Sequence, residues 1–256
     1  MSDNTLTLLG TSSGVPQPNR VCSGAVLQVG SELLLIDCGG GVTSAFLRAG
    51  FDFRDVTTII ISHSHSDHVC ELSLFLQGMY LARKEGRVTV YLPEEFVAEF
   101  KRYLTAVYLF PERFPFQFEI QGYAGRLELA RPTRIRSFPN SHLRKYEPFL
   151  ASASGANRMQ SHSFIIETGG TRLLYTADIG SGEDVLPYLE GVTCLVTELS
   201  HVDREAYLSA VKERGVERVV VTHIDGDDVA EEMVEIAGKV GIANLETAFD
   251  GMRLTL

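Results

Sequence analysis

Positions 62 to 69 read Ser62-His63-Ser64-His65-Ser66-Asp67-His68-Val69, so three of the chain's seven histidines and one carboxylate fall within six positions. The β-branched run Thr57-Thr58-Ile59-Ile60-Ile61 before it predicts a buried strand. Leu72, Phe75, Leu76 and Met79 after it share one helix face. The cluster therefore sits on a strand-to-helix loop. Imidazole and carboxylate at this density suit a borderline or hard divalent cation such as zinc, manganese or iron, not a thiolate-selecting one. His63 and His65, two positions apart, can point the same way and share one ion, while Asp67 and His68 can face a second. A solvated polar loop has no need of such a set.

The pattern His63-x-His65-x-Asp67-His68 resembles the HxHxDH signature of the metallo-β-lactamase fold superfamily. The resemblance implies an α/β fold, a four-layer αβ/βα sandwich of two mixed β-sheets flanked by helices. It also implies up to two metals at the edge where the sheets meet.

With 256 residues, 45% of them hydrophobic, the chain can bury a sizeable core, and one domain over 1–256 is expected. Cys22, Cys38, Cys70 and Cys194 are scattered without a CxxC pair, which argues against a thiolate zinc site or a disulfide framework and fits a reduced cytosol. Met1-Ser2-Asp3-Asn4-Thr5 lacks the basic start and apolar run of a signal peptide, and no apolar segment is long enough to span a bilayer. A soluble, cytoplasmic protein without a membrane partner is expected. The net charge of −10 disfavours a broad nucleic-acid surface, because phosphate neutralisation needs clustered Lys and Arg.

Thr5 to Leu9 predicts a strand that runs into Gly10-Thr11-Ser12-Ser13-Gly14-Val15-Pro16-Gln17-Pro18-Asn19-Arg20, a loop that suits a plain turn or a functional one. It is similar to the opening loop of the ribonuclease Z-like branch, which implies that Arg20 lies beside the metal site. Gly24 to Val29 and Glu32 to Asp37 predict a hairpin, and Gly39-Gly40-Gly41 then opens a helix. Asp37 reads either as a cap of that helix or, by the resemblance, as a carboxylate that receives a histidine N–H and supports the metal loop.

Pro93 to about Phe110 predicts a helix with Phe96, Phe100, Leu104 and Tyr108 as its core face. Phe114 to Ile120, Arg126 to Leu129 and Thr133 to Phe138 predict strands that lead to His142, which the resemblance makes the third ligand of the first metal. From Leu143 to Gln160 the chain is irregular and carries Arg144, Lys145 and Arg158, as either a lid that grips a phosphate or a solvated surface loop. A hairpin over Ser161 to Thr176 precedes Asp178, which matches the family's metal-bridging carboxylate, although Ala177 stands for the usual glycine and Ile179 for the usual threonine. A short helix near Glu183 to Leu189 and a strand over Thr193 to Glu198 lead to His201. The strand Val216 to Thr222 closes on His223, the place of the family's last metal ligand, and the final helix has Ala230, Met233, Val234 and Ala237 on one face. His162 alternates with Phe164 on a strand and either lines the pocket or is a satisfied core residue, the plainer reading.

By the resemblance, His63, His65 and His142 hold one metal, Asp67, His68 and His223 the other, and Asp178 bridges them. Two divalent ions, zinc with manganese or iron as alternatives, lower the pKa of water enough to supply a bridging hydroxide at neutral pH. Asp67 then orients the hydroxide, and His201, with Glu198 close by, protonates the leaving group. The implied activity is hydrolysis of a phosphodiester in a small cyclic or oligonucleotide-type substrate. Lactone or thioester hydrolysis is the alternative, and di-iron redox chemistry a third that His65 disfavours, because those relatives usually carry glutamate there. Transfer-RNA-processing members carry a long arm, commonly between the third histidine and the bridging aspartate. Here only 35 residues separate His142 from Asp178, and the hairpin uses many of them. The expected partner is a small anionic substrate or short nucleic acid, and the reading is open to a homodimer.

Overall fold

In the computed structural model, which describes residues 4–130, 133–150 and 157–256, two sheets form one after the other along the chain. The first comprises β1 (Thr5–Gly10), β2 (Gly24–Val29), β3 (Glu32–Ile36), β4 (Val56–Ile60), β5 (Arg87–Pro93) and β6 (Gln117–Tyr123). The second comprises β7 (Glu128–Leu129), β8 (Arg134–Pro139), β9 (His162–Thr168), β10 (Thr171–Tyr175), β11 (Cys194–Thr197), β12 (Arg218–Val221) and β13 (Leu245–Thr247). The last strand, β14 (Met252–Thr255), returns to the first sheet and pairs with β1. Spatial order is β14-β1-β2-β3-β4-β5-β6 in one sheet and β13-β12-β11-β10-β9-β8-β7 in the other. Both are mixed. Strands joined by helical segments run parallel, as in β3-β4-β5-β6 and β10-β11-β12-β13, and the remaining pairs are antiparallel.

Alternation of side chains along the strands sets the layers. Ala25, Leu27, Leu34 and Ile36 of the first sheet meet Phe164, Ile166, Leu173 and Tyr175 of the second, while Val26, Leu33 and Leu35 point away. The helices are α1 (Val42–Arg48), α2 (Ser66–Val69), α3 (Leu72–Leu81), α4 (Glu94–Ala106), α5 (Glu147–Leu150), α6 (Arg204–Glu213) and α7 (Asp227–Val240). Helices α1, α3 and α4 cover the outer face of the first sheet, and α6 and α7 cover that of the second. Strands buried on both faces read as continuous apolar runs, which is why Leu33-Leu34-Leu35-Ile36 shows no polar alternation. The result is the four-layer metallo-β-lactamase fold. Leu72, Phe75, Leu76 and Met79 are all fully buried on α3, each contributing roughly 1.5–3 kcal/mol by burial.

Several expected elements differ in detail. Helix α4 ends at Ala106, and Tyr108, expected in the core, is 82% exposed. It adopts a left-handed conformation at φ 60°, and Leu109 N–H closes on the Leu104 carbonyl at 2.9 Å, a Schellman-type stop. Val234 is likewise turned outward while Ala230, Met233 and Ala237 are buried. The expected helix over Glu183 to Leu189 is two 3-10 turns, Gly182–Asp184 and Leu186–Tyr188, because Pro187 cannot donate to a helical ladder. Strand pairing begins at Glu128, not Arg126, and β6 is displaced to Gln117–Tyr123. The interval after His142 begins with a 3-10 turn, His142–Tyr146, and α5, so its first part is ordered into turns; residues 151–156 of the expected lid lie outside the described residues.

Candidate metal centre

Every candidate ligand follows the C-terminal end of a strand, and those ends meet at one edge of the sandwich. Strand β4 delivers His63, His65, Asp67 and His68, β8 delivers His142, β10 delivers Asp178, and β12 delivers His223. The strand ends turn sharply: Asp37, Ala177 and His223 have φ of 60°, 49° and 60°, left-handed values that non-glycine residues adopt at a cost. At Gly39 the backbone passes so close to the metal loop that a Cβ would sit 1.9 Å from the Asp67 carbonyl oxygen.

The ligand atoms of His63, His65, His142 and Asp178 all lie within 4.8 Å of one another, and so do those of Asp67, His68, Asp178 and His223. Asp178 belongs to both groups. Its Oδ2 is 3.9 Å from His63 Nε2, 3.6 Å from His142 Nε2 and 3.3 Å from His223 Nε2, and its Oδ1 is 3.2 Å from His68 Nε2. Asp67 Oδ2 is 3.5 Å from both His68 Nε2 and His223 Nε2. Donors about 2.0–2.2 Å from a common tetrahedral cation are separated by comparable distances. His63 Nε2, His68 Nε2, His223 Nε2 and Asp178 Oδ1 are buried without a hydrogen-bond partner, a costly state for polar atoms that share no cation. The donor set therefore fits two divalent ions.

Surrounding groups orient these donors. Asp37 Oδ1 accepts Ser62 N–H at 2.7 Å, and its Oδ2 accepts the Ser62 hydroxyl and His68 Nδ1–H, each at 2.8 Å. Ser62 Oγ also lies 3.0 Å from His63 Nδ1. Asp37 does not cap α1: Gly41 is the N-cap, and Glu71 accepts the Gly41 and Thr43 amides at 2.7 and 2.8 Å. Asp184 Oδ2 accepts Ser141 N–H, the Ser141 hydroxyl and Gly180 N–H at 3.0, 2.8 and 3.0 Å, tying the His142 loop to the Asp178 loop. Sequence reasoning missed Glu71 and Asp184, and nothing in their local pattern marks them.

The two ligand groups differ electrostatically. Burial drives His63 well below the usual imidazole range, brings His142 down to about 3 and lowers His65, so these rings are neutral donors. Burial acts the same way on His68 and His223, but the carboxylates override it, Asp178 and Asp37 at His68 and Asp178 and Asp67 at His223, and both are raised. Burial alone would raise Asp178, yet His68 and His223 hold it well below the usual carboxylate range.

His201 stands at the rim. Its ring is 4.6 Å from that of His142 and 5.6 Å from that of His223, and its Nδ1 donates to Glu198 at 3.0 Å, which leaves Nε2 as the other ring nitrogen. Glu198 is fully buried and also accepts the amides of Ile179, Ser200 and His201. His162 is the satisfied core residue: Gly125 N–H donates to its Nε2 at 3.1 Å, and its Nδ1–H faces the Ser62 carbonyl at 3.2 Å.

Two of the expected basic residues are engaged by groups of the chain itself. Arg20 is buried and bonded to Thr11 Oγ1 at 2.9 Å, the Ala248 carbonyl at 2.6 Å and Asp227 at 3.2 Å, so it anchors the opening loop to the C-terminal region. Its terminal nitrogens are bonded, while its Nε is buried without a hydrogen-bond partner. Arg158 pairs with Glu94, and its backbone N–H donates to Glu95, which also accepts Gln160 N–H at 3.0 Å, so this end of the interval is fastened to α4. Arg144 is exposed, and Lys145 lies 5.4 Å from the Tyr146 ring centre and acts on His65 and His142 by its charge. Beside His65 a cavity of about 430 Å³ opens, walled by Leu143, Tyr146, Leu150 and Met159 with Glu95 and Asn157. Tyr146, which sequence reasoning passed over, meets the His65 ring edge-on at 5.4 Å.

Residues 4–199 match the family model described as anti-Pycsar protein Apyc1. The chain belongs to the Apyc1 family. This Apyc1-family chain is 41% identical over 91 residues to the ribonuclease Z of Synechocystis sp., across 35% of this chain and 28% of that enzyme. It is 25% identical over 296 residues to the ribonuclease Z of Bradyrhizobium diazoefficiens, across 92% and 94%. The stronger local matches to ribonucleases Z thus span under a third of those enzymes. In fold it is similar to the metallo-β-lactamase fold protein YhfI of Bacillus subtilis, at a TM-score of 0.80 and 20% identity over 99% of both chains.

Proposed function

We propose that this protein is a metal-dependent hydrolase that opens the phosphodiester of a small cyclic nucleotide. The observation that carries the reading is the pair of ligand groups sharing Asp178, set beside a cavity of about 430 Å³. Family membership supports the substrate class, because the Apyc1 family is a cyclic-nucleotide-degrading one. His63, His65 and His142 would hold one divalent cation and Asp67, His68 and His223 the other, with Asp178 between them; zinc suits these nitrogen and oxygen donors. When bound, the cations supply Lewis acidity and an activated water.

The chain's own residues do the rest. Asp67, in the first turn of α2, accepts a hydrogen bond from the attacking water and orients it. His201, held by Glu198, delivers a proton from Nε2 to the departing ribose oxygen. Tyr146 and the apolar wall around it receive the base, while Lys145 and Arg144, exposed on the same turn as Tyr146, offset the phosphate's charge.

The test is a panel assay of the metal-loaded protein on 3′,5′-cyclic nucleotides, bis-p-nitrophenyl phosphate, a lactone, a thioester and a precursor transfer RNA. Turnover of cyclic nucleotides to the linear monophosphates is expected to exceed the others by at least 100-fold in kcat/KM. Preferred cleavage of the lactone, the thioester or the RNA refutes the assignment.

A further inference from the structure

Pleating places Arg134, Arg136 and Phe138 of β8, Glu167 of β9 and Arg172 of β10 on the face of the second sheet that points away from the first. Elsewhere that face is covered by α6 and α7. Beside β8 it opens into a cavity of about 440 Å³, rimmed by Arg126, Arg136 and Arg172 and walled by Phe138 and Tyr188. None of these residues belongs to the metal centre.

Positive charge is in excess here. Arg126 and Arg134 share Glu128, and Arg134, Arg136 and Arg172 share Glu167, so four guanidiniums meet two carboxylates on a chain whose net charge is −10. The Nε atoms of Arg136 and Arg172 are buried without a hydrogen-bond partner. The two side chains are themselves partly exposed, at 29% and 26%, so their terminal N–H groups can meet a phosphate, whose oxygens match guanidinium donor geometry. The Phe138 and Tyr188 rings stack with centroids 3.7 Å apart and planes 19° apart; Phe138 is buried and Tyr188 half-buried, leaving a planar π surface beside the cationic rim. The volume suits a small organic ligand.

We propose that this cavity is a second binding site, for a nucleoside monophosphate, with the phosphate on Arg136 and Arg172 and the base against Tyr188. The site stands apart from the reaction and does not depend on its identity. The experiment titrates metal-loaded protein with AMP, inorganic phosphate and adenosine, comparing wild type with Arg136→Gln/Arg172→Gln and with Tyr188→Ala. Wild type is expected to bind AMP at least tenfold more tightly than either fragment. The double variant should lose at least tenfold in AMP affinity while keeping its metal. Tyr188→Ala leaves the arginines and Glu167 in place, and should weaken AMP by a similar factor without changing phosphate binding. AMP held only at the metal centre would give the same isotherm in wild type and both variants, and that result overturns the proposal, as does equal affinity of wild type for AMP and phosphate.

Discussion

His68 Nδ1 lies 2.8 Å from Asp37 Oδ2, although the two residues are 31 positions apart in the chain. The bond fixes the tautomer, turning His68 Nε2 toward Asp67 and Asp178. Asp37→Ala is expected to weaken binding at the Asp67, His68 and His223 group by about 10- to 100-fold, the usual effect of losing such a partner. Competition with a chromogenic chelator measures it; unchanged affinity at both positions would remove Asp37 from this role.

Asp178 faces both ligand groups, so its loss should be felt by both. Asp178→Ala is expected to lose metal and activity together, read by elemental analysis beside turnover. Full occupancy with normal turnover would contradict the bridging assignment.

Under the proposed ligand set His201→Ala should keep both metals; loss of metal would instead assign His201 to the third donor group, with Glu198 and His223. General acid catalysis typically contributes about 100- to 10,000-fold, so a loss of that order is expected on substrates with poor leaving groups and a smaller one on p-nitrophenolate esters. Equal losses on both types would exclude proton delivery.

Lys145 acts on His65 and His142 by charge, whereas Arg158 is paired with Glu94. Lys145→Ala should therefore raise KM for small anionic phosphodiesters about threefold to tenfold, and Arg158→Ala should leave it unchanged. The reverse ranking would place the phosphate on the other side of the cavity.

His162 is depressed to about 4 by burial, opposed by its bond to the Ser62 carbonyl. The unfolded chain, at about 6.5, then binds a proton that the folded chain refuses, so stability rises with pH between about 4 and 6.5. The contribution is complete above the unfolded value and lost as pH falls toward the folded one, a change of about 3 kcal/mol. His162→Gln should lose less stability than wild type between pH 7 and pH 4.5 in urea titrations, with other titrations cancelling in the difference. Parallel losses would show that His162 is not depressed.

The histidine cluster was legible because its density has no structural use, and the layers were legible because apolar runs mark strands buried on both faces. Periodicity misled at Tyr108, since four-residue spacing continues past Ala106 while the backbone has turned left-handed. Glu71 and Asp184 were invisible because their work is decided by which loops meet in space, and a surface carboxylate and a bridging one look alike in sequence. Arg20 was placed beside the metal by resemblance, and its terminal nitrogens are bonded to Thr11, Ala248 and Asp227. The departure at Ala177 acquires a physical meaning: at φ 49° the glycine usual at this place in the family avoids a Cβ cost that alanine bears.

His63, His65, Asp67 and His68 hang from the first sheet, and His142, Asp178 and His223 from the second. Cations held by both sets would clasp the two halves of the sandwich at their shared edge. Whatever binds the folded chain and not the unfolded one stabilises it by mass action. With cations bound there, heat resistance would become a gauge of cation supply, and scarcity would be felt first as the two sheets parting at that edge.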